Sequence, residues 1–303
     1  MCMNISTAFP SFDSLRRSQA AALLLVLAVL AIAWYLGALW LNSDLLIKGY
    51  ERRSIDWTFG QLISDAYSMK RPLLPTPDQI GAELYKSIFD TKVSSKRSLV
   101  YHSGITLSST LLGFLLGALL GILLAIGIVH SRTLERSLMP WVITSQTIPI
   151  LAIAPMIIVV LGAMNFTGVL PKAIISMYLS FFPVTIGMVK GLRAPEKLHM
   201  ELLATYSASS EQVFRKLRWP SAMPYLFASL KIAIAASLVG AIVGELPTGA
   251  QGGLGSRLLS GSYYGQTIQI WSALVVAAVL GAVLVVVVGY FEKRVNRRMG
   301  SQL

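Results

Sequence analysis

Residues 105–129 read ITLSSTLLGFLLGALLGILLAIGIV, twenty-five positions without one ionisable side chain. A helix needs about 20 mostly apolar residues to cross the hydrocarbon core of a bilayer. This stretch therefore predicts a membrane-spanning helix. Gly113, Gly117 and Gly121 recur every four residues within it and share one helical face. Small residues at that spacing let a neighbouring backbone approach closely in lipid.

Working outward, residues 20–41, 138–162, 173–189, 225–244 and 268–291 have the same character. The expectation is an all-α polytopic membrane protein with six transmembrane helices. Arg16 and Arg17 precede the first span, but its apolar run is long and no small-x-small site closes it, so it reads as a retained anchor. Composition agrees. Of 303 residues, 54% are hydrophobic and only 13% charged, against about 25% charged in soluble domains. Mean hydropathy is +0.65. The net charge of +12 would point to nucleic acid in a soluble protein. Here the basic residues sit between apolar runs, where they act as topology signals, so no nucleic-acid partner is expected and membrane lipid is.

With both termini cytoplasmic, twelve basic residues fall on short inner segments beyond the N-terminal pair, against Lys172 and Arg257 outside. The positive-inside rule then places both ends in the cytoplasm. Lys231, within the fifth span, is expected to snorkel to the same side. The chain divides into a cytoplasmic tail (1–19), an anchor helix (20–41), an external segment (42–104), a core of five spans (105–293) and a cytoplasmic tail (294–303). In the external segment, Thr76, Pro77 and Gln79 form a helix start. Ile80, Leu84 and Ile88 continue it as an amphipathic scaffolding helix over about 77–89.

Chemistry-bearing residues are sparse. Cys2 is the only cysteine, and His102, His130 and His199 lack ligand spacing, so no metal site is expected. No Gly-x4-Gly-Lys-Ser/Thr occurs, so the chain holds no nucleotide cofactor of its own. No catalytic cluster lies at one membrane depth, which counts against a membrane-embedded enzyme. Thr144 to Thr147 precede Pro149 and Pro155 in the third span. Both prolines remove backbone hydrogen bonds, and the freed carbonyls need protein or a watery cavity. Gln146 and Thr147 then either face a translocation route or bond neighbouring helices. Glu245 closes the fifth span at its outer end, where hydration is cheap, before a loop with six glycines up to Gly265. That loop is either a re-entrant gate beside Glu245 or a plain flexible turn. A proton- or ion-coupled carrier would be expected to keep a carboxylate or histidine nearer mid-membrane.

Residues 194–222 do not belong to a simple bundle. Pro195 and Glu196 open a short helix with Leu198, Leu202 and Tyr206 at i, i+4 and i+8. Ser209 and Gln212 form a capping box, and Val213, Phe214 and Leu217 make a second apolar face before Pro220 stops the helix. Two short amphipathic helices at an angle offer a knob for a partner's groove, or rest on lipid headgroups.

This segment resembles the cytoplasmic loop of permease subunits from bacterial binding-protein-dependent ABC importers, whose pattern is Glu-Ala-Ala, three residues, Gly, nine residues, Ile-x-Leu-Pro. Glu201, Ser207, Leu217 and Pro220 stand at the spacing of its Glu, Gly, Ile and Pro. Leu202 and Leu203 replace the alanines, Trp219 the leucine and Ser207 the glycine, so the turn is expected to use a geometry other than the left-handed one. Ile148–Met156, Leu170-Pro171-Lys172, Phe181-Phe182-Pro183, Gly191-Leu192-Arg193 and Leu74–Pro77 resemble the branch serving nitrate, sulfonate and taurine, as does a Gly-Leu-Gly turn at Gly253–Gly255. The resemblance implies a permease dimer, here of identical copies, with ATP and magnesium on a separate ATPase pair and solute delivered by an external binding protein. It assigns coupling to the ATPase to Glu201, Leu202, Tyr206, Ser207, Val213, Phe214, Leu217 and Pro220.

Overall fold

The computed structural model describes residues 12–247 and 252–299. The tail before Phe12 with Cys2, Gly249 and the last four residues lie outside them, as do the side chains of Arg16 and Arg17. The described residues are helical, without a strand. In chain order the helices are α1 (Phe12–Arg53), α2 (Phe59–Ser68), α3 (Pro77–Tyr85), α4 (Leu99–His130), α5 (Arg132–Thr144), α6 (Ile150–Ala163), α7 (Val169–Leu192), α8 (Lys197–Thr205), α9 (Ser210–Val213), α10 (Trp219–Glu245), α11 (Leu254–Tyr263) and α12 (Thr267–Arg298). A π turn, Lys86–Asp90, extends α3, and another, Phe214–Arg218, joins α9 to α10.

The chain forms two compact units, up to Gly81 and from Ala82 onward. In the first, α1 does not stop at Leu41 but runs to Arg53. Asn42 explains why the helix can continue into polar sequence. Its fully buried carboxamide donates to the Ala66 and Leu74 carbonyls and accepts the Leu73 N–H at 2.8 Å. Gln79 accepts the Thr76 N–H and donates to the Tyr67 and Met69 carbonyls, tying the start of α3 to the end of α2. Burial works to raise the Asp78 carboxyl, but the hydrogen bond from the Tyr35 hydroxyl, together with the Thr76 hydroxyl and the backbone N–H of Asp78, outweighs it and holds the group below its ordinary value.

In the second unit α7 is the central helix, packed along both α4 and α10. The glycine ridge of α4 meets small residues of α7: a Cβ on Gly113 would strike Ser176, one on Gly117 Ser180, and one on Gly121 Val184. Contact positions rise together along both helices, so α4 and α7 run parallel. Gly187 meets Ser229 while Gly240 meets Ser176, so α10 runs antiparallel to α7. The core between them holds Ile128, Val184, Met188, Leu192, Met223 and Leu226. A second cluster gathers Leu99, Leu254, Ala273 and Ala277, with Leu84 and Ile88 against it.

The third span departs from the expected straight helix over 138–162. α5 and α6 meet at a 102° bend, and neither is long enough to cross alone. Pro149 sits at the break with extended geometry, because its ring excludes the helical conformation from Ile148 before it. Pro155 lies inside an unbroken α6. Parallel α4 and α7 require the chain between them to return across the bilayer. The bent pair is therefore one crossing, and with five long apolar helices the chain makes six.

Lys231 pairs with Glu292 near the end of α12. One further expectation is corrected. Pro220 does not stop a helix: the π turn shifts the hydrogen-bond register, with the Trp219 N–H on the Phe214 carbonyl, and Pro220 falls in the first turn of α10, where its missing N–H costs little.

Candidate functional site

At the α7–α10 connection the short helices form a foot. Ser207 carries φ of +50°, the left-handed region. Its N–H bonds to the Ala204 carbonyl, and the Ala208 N–H to that of Leu203. This is the Schellman closure, with serine where glycine is usual. The expectation that loss of the glycine forces another geometry is thus overturned: two carbonyl contacts hold the turn left-handed despite the Cβ. The capping box forms in full, Ser209 N–H on Gln212 Oε1 at 2.9 Å and Gln212 N–H on Ser209 Oγ at 3.3 Å.

Leu198, Leu202 and Tyr206 stand out from this foot, between 53% and 76% exposed. Glu201 is exposed beside them. Val213, Phe214, Leu217 and Pro220 are half-buried and form the root. Phe214 lies edge-on to His130 at the end of α4, with ring centroids 5.2 Å apart, and 5.9 Å from Trp219. Arg193 at the end of α7 pairs with Glu135 of α5 at 2.9 Å, joining the bent arm to the base of the foot. The result is a projecting apolar knob on a rooted base.

At the opposite end of α7 a polar clasp had no sequence signal strong enough to find it. Glu245, expected to be hydrated, is fully buried, because the glycine strap folds back over it. Its carboxylate accepts from Thr106 Oγ1 at 2.9 Å and from the Gly255 N–H at 2.9 Å. Thr106 Oγ1 in turn accepts the Leu254 N–H. His102 Nδ1 accepts the Gly253 N–H at 2.9 Å, which puts the ring proton on Nε2, facing the Lys96 carbonyl. Lys172, counted above as a loop charge, is buried within α7 and donates to the Gly252 carbonyl at 3.0 Å. Gly252 and Gly253 have φ of +83° and +117°, and a Cβ on Gly253 would overlap the Glu245 carboxylate. Three helices, α4, α7 and α10, fasten the described half of the glycine loop, which continues as α11. Thr106, His102 and Lys172 were missed because their partners lie up to 151 positions away.

Between these ends, a cleft of ≈ 490 Å³ opens between α7 and α10 beside the break in the third span, and Gln146 lines it. The break itself is held by the Tyr178 hydroxyl on the Ser145 carbonyl. Thr147 is exposed and donates to the Thr144 carbonyl, and it is not among the lining residues. Pro149 sits at the bend, Pro155 further along α6, and Glu245 in the distant clasp, so the residues read as one pathway fall into separate places. Among the described residues no group of acidic, histidine or cysteine side chains could hold a metal.

Among the described residues, five long apolar helices and one bent pair define a polytopic membrane protein with a projecting foot. Residues 117–301 match the family described as binding-protein-dependent transport system inner membrane component, and the chain belongs to that family. It is thus a permease of the ABC importer class and a multi-pass protein of the cytoplasmic membrane, not an enzyme. The chain is similar to the riboflavin transport system permease of Chloroflexus aurantiacus, 33% identical over 74% of this chain and 80% of that one. It is 32% identical to the formylaminopyrimidine transport permease of Halalkalibacterium halodurans, over 60% and 68%. With the putative aliphatic sulfonates transport permease of Bacillus subtilis it shares 26% identity over 79% and 87%.

Proposed function

We propose that two copies of this chain form the translocation pathway of an importer, both termini cytoplasmic, with an ATPase pair gripping the two feet and an external binding protein delivering solute. ATP and magnesium belong to the partner ATPase. The solute is a small organic or oxyanionic nutrient, of the sulfonate, nitrate and taurine kind or of the pyrimidine and flavin-precursor kind. The observation that carries the reading is the foot: three large apolar side chains exposed on one face, rooted against α4 and α5. Exposed Leu and Tyr at i, i+4 and i+8 fit a hydrophobic groove. A partner that orders them shifts the whole base, because foot, α4 and α5 move together. In the assembled importer in proteoliposomes, Glu201→Ala with Pro220→Ala should uncouple ATP hydrolysis from uptake while membrane insertion stays normal. Uptake at the wild-type rate would defeat the coupling role.

A carrier driven by a proton or ion gradient is the competing reading, and buried Glu245 and Lys172 are the observation in its favour. Both are fastened to backbone atoms of the strap, which suits a structural clasp better than a mobile ion relay. Solute accumulation by this chain alone in liposomes, under a pH or sodium gradient, would decide for the carrier.

A further inference from the structure

The cleft beside Gln146 has a chemistry of its own. Its volume of ≈ 490 Å³ falls in the range of roughly 300–1,000 Å³ seen for small-molecule sites. It lies at mid-length of α7 and α10, from Leu179 to Gly187 on one and Tyr225 to Ala236 on the other. It also borders the break, where a single 3-10 turn, Ser145–Thr147, gives way to extended Ile148 and Pro149. Irregular backbone at membrane depth is tolerated only against protein or a water-lined cavity. Cleft and break adjoin: the ligand-sized space opens where the third span bends.

No charged side chain lines the cleft among the described residues. The polar side chains are neutral: the Gln146 carboxamide, the Tyr225 phenol and the Ser229 hydroxyl. Ser229 already donates to the Leu226 carbonyl. Gln146 has one donor on Ser145 Oγ at 3.3 Å, and so keeps a second N–H and its carbonyl oxygen for another partner. Phe182 and Tyr225 present ring surface. The ammonium of Lys190 is engaged with the Tyr225 ring, 5.9 Å from its centroid. An anion entering this space sheds water without gaining a cation, and such desolvation is strongly unfavourable. A flat uncharged ring with amide-like edges loses little water and can stack and pair at once.

We infer that the cleft at Gln146, Phe182 and Tyr225 is a transit site for neutral, planar heteroaromatic solutes, and that small oxyanions do not dwell there. The inference rests on the pathway reading above and deepens it.

The test uses the full chain assembled with its ATPase in nanodiscs, with Cys2→Ser removing the only native cysteine. A reporter thiol is placed by Ala228→Cys within the cleft, with Ile232→Cys as a second cleft reporter. Val279→Cys on the exposed face of α12 is the control. Riboflavin and a formylaminopyrimidine should slow labelling at 228 and 232 about fivefold, as expected at four-fifths occupancy, and leave 279 unchanged. Taurine and nitrate should leave all three unchanged, and adding Gln146→Ala should abolish the protection. Equal or stronger protection by taurine or nitrate overturns the inference, as does protection by none of the four. A spontaneous disulfide between two copies at 228 overturns it too, by making the cleft a seam between subunits. The underlying reading is scored separately, by labelling at 228 without solute in ATP-bound and ADP-bound states. A rate that responds to nucleotide keeps the pathway even if the solute class falls, and an unresponsive rate removes the pathway itself.

Discussion

Ser207 shows how little a single side chain need obey its usual preference when the surrounding hydrogen bonds agree. An L-residue in the left-handed region costs roughly 1–2 kcal/mol, and two carbonyl contacts hold it there. Ser207→Gly should therefore stabilise the foot by about 1 kcal/mol, read as slower amide hydrogen exchange across α8. Ser207→Val should act in the opposite sense, because a β-branched side chain tolerates this conformation least. Glu245 is the second residue whose setting decides its role. Glu245→Ala strands the Gly255 N–H in a dry site, at about 1–3 kcal/mol, while the Thr106 hydroxyl keeps the His102 carbonyl. Glu245→Gln keeps an acceptor oxygen and should lose clearly less. Thermal unfolding of the detergent-solubilised chain would rank the two, and an Ala variant as stable as Gln would show that the clasp holds nothing.

Among elements, the pairing of α4 with α7 depends on the absence of side chains. Gly113, Gly117 and Gly121 lie where any Cβ meets Ser176, Ser180 or Val184, so the two helices touch almost backbone to backbone. Gly117→Leu should push them apart and cost about 1–3 kcal/mol as an overpacked contact. Gly162→Ala is the matched control, since its Cβ meets nothing within 4 Å. A fall in melting temperature for the first and none for the second is the expected result. The bent arm contrasts with this pair. α5 and α6 bury little beyond Val142 and Ala154, and rest on Tyr178 at the break and Arg193 at the base. An element so lightly packed next to the cleft is the part of the subunit best able to move.

For the molecule as a whole, parallel α4 and α7 turn an ambiguous bent pair into a sixth crossing. The argument makes a topological prediction. Ser131→Cys, at the start of the arm, and Gly168→Cys, at its end, should react with membrane-impermeant thiol reagents from opposite sides of the membrane, in a Cys2→Ser background. Reaction of both from one side would make the arm a re-entrant loop and leave five crossings. With six crossings the foot, between α7 and α10, and the clasp, at the far end of the same helices, lie on opposite faces. The foot and the clasp thus occupy separate ends of one helix pair, with the cleft between them.

The sequence alone determined the apolar helices, the glycine ridge, the two-helix foot and the family, because each is written in local periodicity or fixed spacing: the row Leu198, Leu202, Tyr206 needs no knowledge of anything distant. What only the tertiary structure decided depends on partners remote along the chain. Glu245 reads as a hydrated helix end until a glycine strap covers it, and Lys172 as a loop charge until Gly252 caps it. Pro149 and Pro155 look equivalent in sequence, yet only Pro149 sits at a break. Lys231 reads as a lone charge within a span until Glu292 of α12 meets it. Burial and pairing are properties of the space around a residue, and that space is made by helices the local sequence does not mention.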